Sequence, residues 1–186
     1  DTYNTAVGYY AGVAVTTGSQ NTFIGGLAGD ATTTASNNTA LGYLALSANT
    51  TGSVNTAIGV ASLDANTTGA NNVAVGGGAL GANTTADNNT AVGKDALTAN
   101  TTGTNNVAVG SLAGDAITTA SNNVAIGAHA LTTDTLGSGS IAIGRQALQT
   151  QNFTSATTSY NVAVGDQAGL SVTTGINNTL IGGLAG

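Results

Sequence analysis

Cysteine, proline, methionine, tryptophan and glutamate are all absent from this 186-residue chain. Without cysteine there is no disulfide framework, no thiolate metal site and no cysteine nucleophile. Charge is scarce too. Lys94, Arg145 and His129 are the only basic side chains, beside eight aspartates, and charged residues make up 5% of the sequence where about a quarter is usual. Acid–base catalysis is short of material. A formal charge of −6 with two cations lacks the clustered Lys/Arg that nucleic acid or an anionic membrane would need. No apolar run reaches the length of a membrane helix, and no basic start followed by an apolar core marks a signal peptide.

What the chain does contain is one phrase, written repeatedly. "ANTTGTNNVAVG" at 99–110 returns as "ANTTGANNVAVG" at 65–76, "ANTTGSVNTAIG" at 48–59 and "ANTTADNNTAVG" at 82–93. With the asparagine that opens each N-[TV]-x-[VIL]-G motif as position zero, it recurs at Asn4, Asn21, Asn38, Asn55, Asn72, Asn89, Asn106 and Asn123, each 17 residues from the last. Ser140 takes the next place, Asn161 follows after 21 residues, and Asn178 restores the step. Eleven registers at a short fixed period are the mark of a solenoid. Disorder is excluded by the 41% hydrophobic content.

The columns of this alignment differ in freedom. Position three is always Val, Ile or Leu, and position four is glycine in all eleven registers. Position seven is alanine except at Ser62, and position eight is leucine or glycine. A Thr-Thr pair occupies twelve and thirteen in the commonest form of the repeat. Positions five, six, nine and fifteen vary and are expected to face solvent. Alternation across zero to three predicts a β-strand ending in a glycine corner. A second strand is expected over positions ten to thirteen, and helix is disfavoured by Gly, Asn, Thr and Val.

Seventeen residues cannot fold alone, so each coil must stack on the next at about 4.8 Å, giving a rod on the order of 50 Å. Like side chains then form vertical ladders: amides from the position-zero asparagines along one edge, hydroxyls from the threonines on another. The irregular rung, 140–160, is expected to bulge from the rod near "TQNFTSATT". The fold class is therefore an all-β parallel solenoid of about eleven 17-residue rungs, expected to form a single repeat solenoid over 1–186. Its Val, Ile and Leu side chains are expected inside. Position two, on the other face of the strand, is alanine at Ala6, Ala40, Ala57, Ala74, Ala91, Ala108, Ala125, Ala142 and Ala163. A small, apolar outward row of this kind suggests an inter-subunit face, and the expectation is a homotrimer.

Phrases such as "NTAVGYYAG", "NTALGYLAL" and "NVAVGDQAG" resemble the N-[ST]-x-A-[VI]-G repeats in the heads of trimeric autotransporter adhesins, and the longer "NTAVGxxALxANTTGxN" form is similar to repeats in phage and marine bacterial tail-fibre-like proteins. The resemblance covers the whole chain. It implies a trimeric left-handed parallel β-roll, no catalytic motif and no cofactor, and an extended fibre segment that is extracellular or on a virion. The 17-residue period is longer than the adhesin repeat.

On this reading the chain is a structural or adhesive fibre segment that is not an enzyme, is partnered by itself and by a surface receptor or glycan, and neither binds nucleic acid nor enters a membrane. The alternative is an ice-binding solenoid using the ladder of Thr50, Thr51, Thr67, Thr68, Thr84, Thr85, Thr101 and Thr102. His129, Lys94 and Arg145 read as solvated surface. Asp30, Asp64 and Asp115 share position nine without being on neighbouring rungs, so no stacked calcium cage is expected. Asn49, Asn66, Asn83 and Asn100, and Asn37, Asn88, Asn152 and Asn177, satisfy the N-x-[ST] rule but read first as turn and ladder residues. Tyr3, Tyr9, Tyr10 and Tyr43 gather near the amino end, and "GGGAL" at 76–80 lacks the lysine of a phosphate loop. Neither end carries a polar cap, which points to a longer parent protein.

Overall fold

The computed structural model describes residues 2–186. Among them there is no helix, and eleven three-residue strands stack in parallel, in chain order, into one sheet. These are β1 (Thr5–Val7), β2 (Thr22–Ile24), β3 (Thr39–Leu41), β4 (Thr56–Ile58), β5 (Val73–Val75), β6 (Thr90–Val92), β7 (Val107–Val109), β8 (Val124–Ile126), β10 (Ile141–Ile143), β12 (Val162–Val164) and β13 (Thr179–Ile181). Two further two-residue strands, β9 (Gly137–Ser138) and β11 (Thr157–Thr158), pair with each other. Every neighbouring pair in the main sheet keeps equal repeat positions opposite, as in Ala57↔Ala74 and Val75↔Val92. The protein is a parallel β-solenoid with a rung of about 17 residues.

The strand of each rung ends at a glycine whose φ lies between +122 and +141. That region is closed to side chains bearing a Cβ. Stacking closes it again, because a Cβ on Gly76 would stand 2.4 Å from the carbonyl oxygen of Gly93 in the next rung.

The two sides of the strand are the reverse of the sequence expectation. Ala40, Ala57, Ala74, Ala91, Ala108, Ala142 and Ala163 are fully buried and Ala125 almost so, while Val, Ile and Leu at position three point outward. Only Ala6, on the first rung, is exposed. The alanine row is therefore lining of the coil, not an outer face. The reason is width: the interior also holds position seven (Ala45, Ala79, Ala96), position eight (Leu46, Leu63, Leu80, Leu97) and two asparagine columns, all close to zero exposure. Only a methyl fits beneath them.

The expected second strand does not form. Positions ten to thirteen do hydrogen-bond rung to rung, as in Ala48 N–H to the Asp64 carbonyl and Thr50 N–H to the Thr67 carbonyl. They follow a left-handed residue, however, and turn on an asparagine at position eleven whose amide reaches the carbonyl three residues on, at 2.9 Å for Asn49 to Gly52 and 3.0 Å for Asn66 to Gly69. The chain bends there instead of pleating.

Position eight is left-handed in every rung but the last, where the same column is Gly186 at φ +93. Glycine meets that torsion without strain, whereas leucine fills the core, at φ between +50 and +56 for Leu46, Leu63, Leu80, Leu97, Leu131 and Leu148. The choice is coupled to neighbouring columns. Where position eight is leucine, position eleven is polar: Asn49, Asn66, Asn83, Asn100, Asp134 or Gln151. Where it is glycine, a larger side chain takes the volume. Phe23 lies over both Gly12 and Gly29, Ile117 over Gly114, and Leu180 beside Gly169 and Gly186.

The position-zero asparagines are interior, not on an edge, and along most of the rod their partners are backbone groups; amide-to-amide bonds between them occur from Asn21 to Asn4 at 3.1 Å and from Asn178 to Asn161 at 3.0 Å. Asn72 accepts from the Asn89 N–H at 2.9 Å and donates to the Ala86 carbonyl at 2.8 Å. The same two bonds recur from Asn4 to Asn123, joining the end of each coil to the start of the next. The longest run of side-chain bonds is at position eleven, where Asn66 donates to Asn49, Asn83 to Asn66 and Asn100 to Asn83, at 3.0, 2.9 and 3.3 Å. It stops at Ile117, which leaves Asn100 Oδ1 without a partner.

The irregular rung is only partly a bulge. Thr154, Ser155 and Ala156 are exposed, but Phe153 and Gln151 turn inward. Ser140 is too short to close its coil as asparagine does. Gln151 takes over, donating to Ser140 Oγ at 2.7 Å and to Asp134 Oδ2 at 2.6 Å and accepting from Asn161 at 2.7 Å.

Two outcomes test the coupling of columns eight and eleven, both read by chemical denaturation. Leu80→Ala is expected to cost about 2–5 kcal/mol by opening a core cavity. Gly114→Leu alone should destabilise by about 1–3 kcal/mol through collision with Ile117. Adding Ile117→Asn should restore stability, because the asparagine vacates the volume and reaches the unpaired Asn100 Oδ1.

Candidate functional surface

With alanine inside, the outer face of the sheet carries two unbroken columns, Thr, Val or Ile at position one and Val, Ile or Leu at position three. Side chains two apart on a strand share a face, and parallel pairing without slippage sets them above one another through eleven rungs. They are half-exposed: Leu41 retains 45% and Ile126 37% of its accessible surface. At about 3.3 Å per residue and about 4.8 Å per rung, the stripe is about 10 Å wide and about 50 Å long, roughly 500 Å². Position three is apolar throughout, whereas position one is threonine in six of the eleven rungs, so the stripe is a mixed apolar and hydroxyl-bearing face.

The corners flanking the stripe hold most of the distinctive side chains. Beyond the strand, position five carries Tyr9, Tyr43, Val60, Lys94, Arg145 and Asp166. Before it, positions fifteen and sixteen commonly carry Ser or Thr and a left-handed Asn, as at Ser36–Asn37, Thr104–Asn105 and Ser121–Asn122. Arg145 and Asp166 are stacked on consecutive rungs in a two-pronged pair, Nε to Oδ1 2.9 Å and Nη2 to Oδ2 3.0 Å. Lys94 reaches its neighbour Asp95 at 3.2 Å. Tyr9 and Tyr10 meet edge to face at 4.4 Å, and His129 is partly covered on a rung of its own.

The threonine columns divide. Thr50, Thr67, Thr84 and Thr101 direct their hydroxyls to the carbonyl one rung on, at 3.0 to 3.3 Å. Thr51, Thr68, Thr85 and Thr102 are exposed. One rank of hydroxyls faces water; the other is committed within the rod.

Asn49, Asn66, Asn83 and Asn100 have no accessible surface, so the folded chain cannot present them for glycosylation. Asn37, Asn88, Asn152 and Asn177 are exposed. Among the described residues no cleft opens and no three His or Asp side chains converge as metal donors. The position-nine carboxylate of Asp64 is half-buried, and desolvation raises its pKa, against the backbone N–H groups of Asp64 and Ala65, which act to lower it. No family model, curated protein or solved structure matches the chain.

The sequence pointed to an apolar face but chose the wrong column. The signal that separates the two is size: alanine is nearly invariant at position two because space is limiting, whereas position three accepts Val, Ile or Leu because its outer side is open.

A carboxyl whose folded pKa is raised favours folding while protonated and opposes it once ionised. Asp64→Asn is therefore expected to melt above the parent at pH 7, with the gap closing as pH falls below the ordinary aspartate range. Melting curves across pH check this, and a gap that widens in acid would contradict it.

Proposed function

We propose that the chain is a rigid, non-catalytic fibre segment that assembles laterally as a homotrimer through its sheet face, outside the cell or on a virion. The observation that carries this is the two-column stripe of β-branched and aliphatic side chains, half-exposed along the whole rod. A solvated strand face ordinarily carries polar residues, and here only the threonines of position one meet that description while position three is Val, Ile or Leu in every rung. Covering it would supply the apolar burial that a coil lined with alanine lacks, at about 25 cal/mol per Å² removed from water.

A face two side chains wide gives two copies only a narrow seam. Three copies closing around an axis cover the flanking corners as well. The resemblance of the N-[ST]-x-A-[VI]-G motifs to trimeric adhesin heads and tail-fibre repeats favours the same number. A surface receptor or glycan would then meet the sides of the rod that the copies leave uncovered. Ice binding on the threonine side has less support, since half of that ladder's hydroxyls are used internally.

Light scattering on the wild-type chain is expected to give three times the 17.7 kDa chain mass. Val75→Asp and Val109→Asp, on the outer face, should shift the protein towards monomer while leaving the circular dichroism spectrum of a β-solenoid. A wild-type monomer at micromolar concentration would overturn the reading.

A further inference from the structure

Ten of the eleven registers place asparagine at position zero. Around the exception, Ser140, the interior holds a different set of groups. Ser140, Gln151, Ser159, Asn161 and Asp134, the one fully buried carboxylate among the described residues, have no accessible surface. They converge on the Gln151 carboxamide. Its Nε2 donates to Asp134 Oδ2 at 2.6 Å and to Ser140 Oγ at 2.7 Å, and its Oε1 accepts from Asn161 Nδ2 at 2.7 Å. Ser159 lies behind Ser140, Oγ to Oγ 2.5 Å, and its own hydroxyl donates to the Ser138 carbonyl at 3.2 Å. The Ser140 hydroxyl hydrogen therefore points to Ser159, and a lone pair of Ser140 Oγ faces the carboxamide.

A hydroxyl, an acyl carbon, a donor on the acyl oxygen and a carboxylate on the leaving nitrogen are the parts of an acyl transfer. With a C–N bond of about 1.33 Å, Ser140 Oγ stands no more than about 4.0 Å from Gln151 Cδ. The last torsion of a glutamine side chain is soft, so a turn of the carboxamide presents its carbonyl face to that oxygen. Holding the two groups together removes the entropic cost of their encounter. Asn161 is placed to stabilise charge developing on Oε1. A site closed to solvent offers no water to compete for the carbonyl or to reverse the reaction.

We propose that Ser140 and Gln151 join as an intramolecular ester in the folded chain. Ser140 Oγ adds to Gln151 Cδ and the carbonyl electron pair moves onto Oε1. As that pair returns, the Cδ–Nε2 bond breaks and Nε2 leaves as ammonia, with the Ser140 proton delivered to it through Asp134. One Oγ–Cδ bond replaces one Cδ–Nε2 bond, and neither an oxidant nor a cofactor takes part. The reaction runs once per chain and is not turnover. Its product ties residues 140 to 151 into a covalent ring, so the one coil without asparagine at its junction is closed by a bond that tension along the rod does not unwind. The proposal concerns a single chain and is independent of how copies associate.

Trypsin provides the test, because it cuts the denatured chain after Lys94 and Arg145, and Arg145 lies between the two residues. The intact mass of the purified chain is expected to fall short of the sequence mass by one ammonia. Fragments 95–145 and 146–186 should stay joined after digestion until hydroxylamine separates them. Ser140→Asn, which restores the usual residue of its column, should keep the circular dichroism spectrum and the full sequence mass and give separate fragments. Asp134→Asn, the commonest residue of its column, should slow cross-linking about a hundredfold, followed by mass in freshly expressed protein. A folded wild type with its full mass and separate fragments overturns the proposal. Loss of ammonia without joined fragments also overturns it, since that marks cyclisation at an asparagine. Joined fragments in Ser140→Asn would do the same by assigning the link to another hydroxyl.

Discussion

The structure depends on how a very narrow coil disposes of its backbone polar groups. Each rung spends three residues on strand and the rest on turns, and turns leave N–H and C=O groups that a dry interior cannot leave unpaired. The asparagine at position zero resolves this at the junction between coils, accepting from the next rung's N–H and donating to the carbonyl that precedes it. No other side chain offers a donor and an acceptor at that reach. The strands, the glycine corners and the alanine lining are arranged around this bridge, and where it is missing, at Ser140, the chain recruits Gln151, Ser159 and four extra residues to fill the place.

The same narrowness explains why the period, the strands and the stacking were legible in the sequence and the facing was not. Alternation over "NTAVG" says that positions one and three share a side, opposite zero and two. It does not say which side is wet. Hydrophobicity argues for Val and Ile inside, and in a wide coil that would hold. Here Leu80 and its column equivalents enter from the turn and occupy the interior, so the strand contributes only methyl groups. Volume overrode hydropathy. The predicted second strand failed for a related reason, since asparagine at position eleven bonds to the backbone three residues on, and such local bonds compete with extended structure.

Leucine or glycine at position eight looks like drift in the sequence, but each choice has a partner. Phe23 occupies space above two glycines, and Ile117 fills what Leu97 and Leu131 fill in their own rungs. One column meets the demand of a left-handed torsion and another the demand of packing density, and the repeat exchanges the two without changing its rise. This is how a low-complexity chain keeps a single register, for a slipped rung would bring these volumes together wrongly. The outer stripe has no such device, and it is at the corners that chain-specific residues reappear.

The direction of the bonds between rungs carries a mechanical consequence. They lie along the rod, so a pull on its two ends loads them one coil at a time, as in opening a zipper, and not all together in shear. Each coil that opens would lengthen the filament by about 50 Å, the difference between seventeen extended residues at about 3.3 Å and one rung spacing. A lone solenoid of this kind would yield readily under tension and lengthen in even steps, whereas strands clasped side by side by neighbouring copies would have to let go of several coils at once.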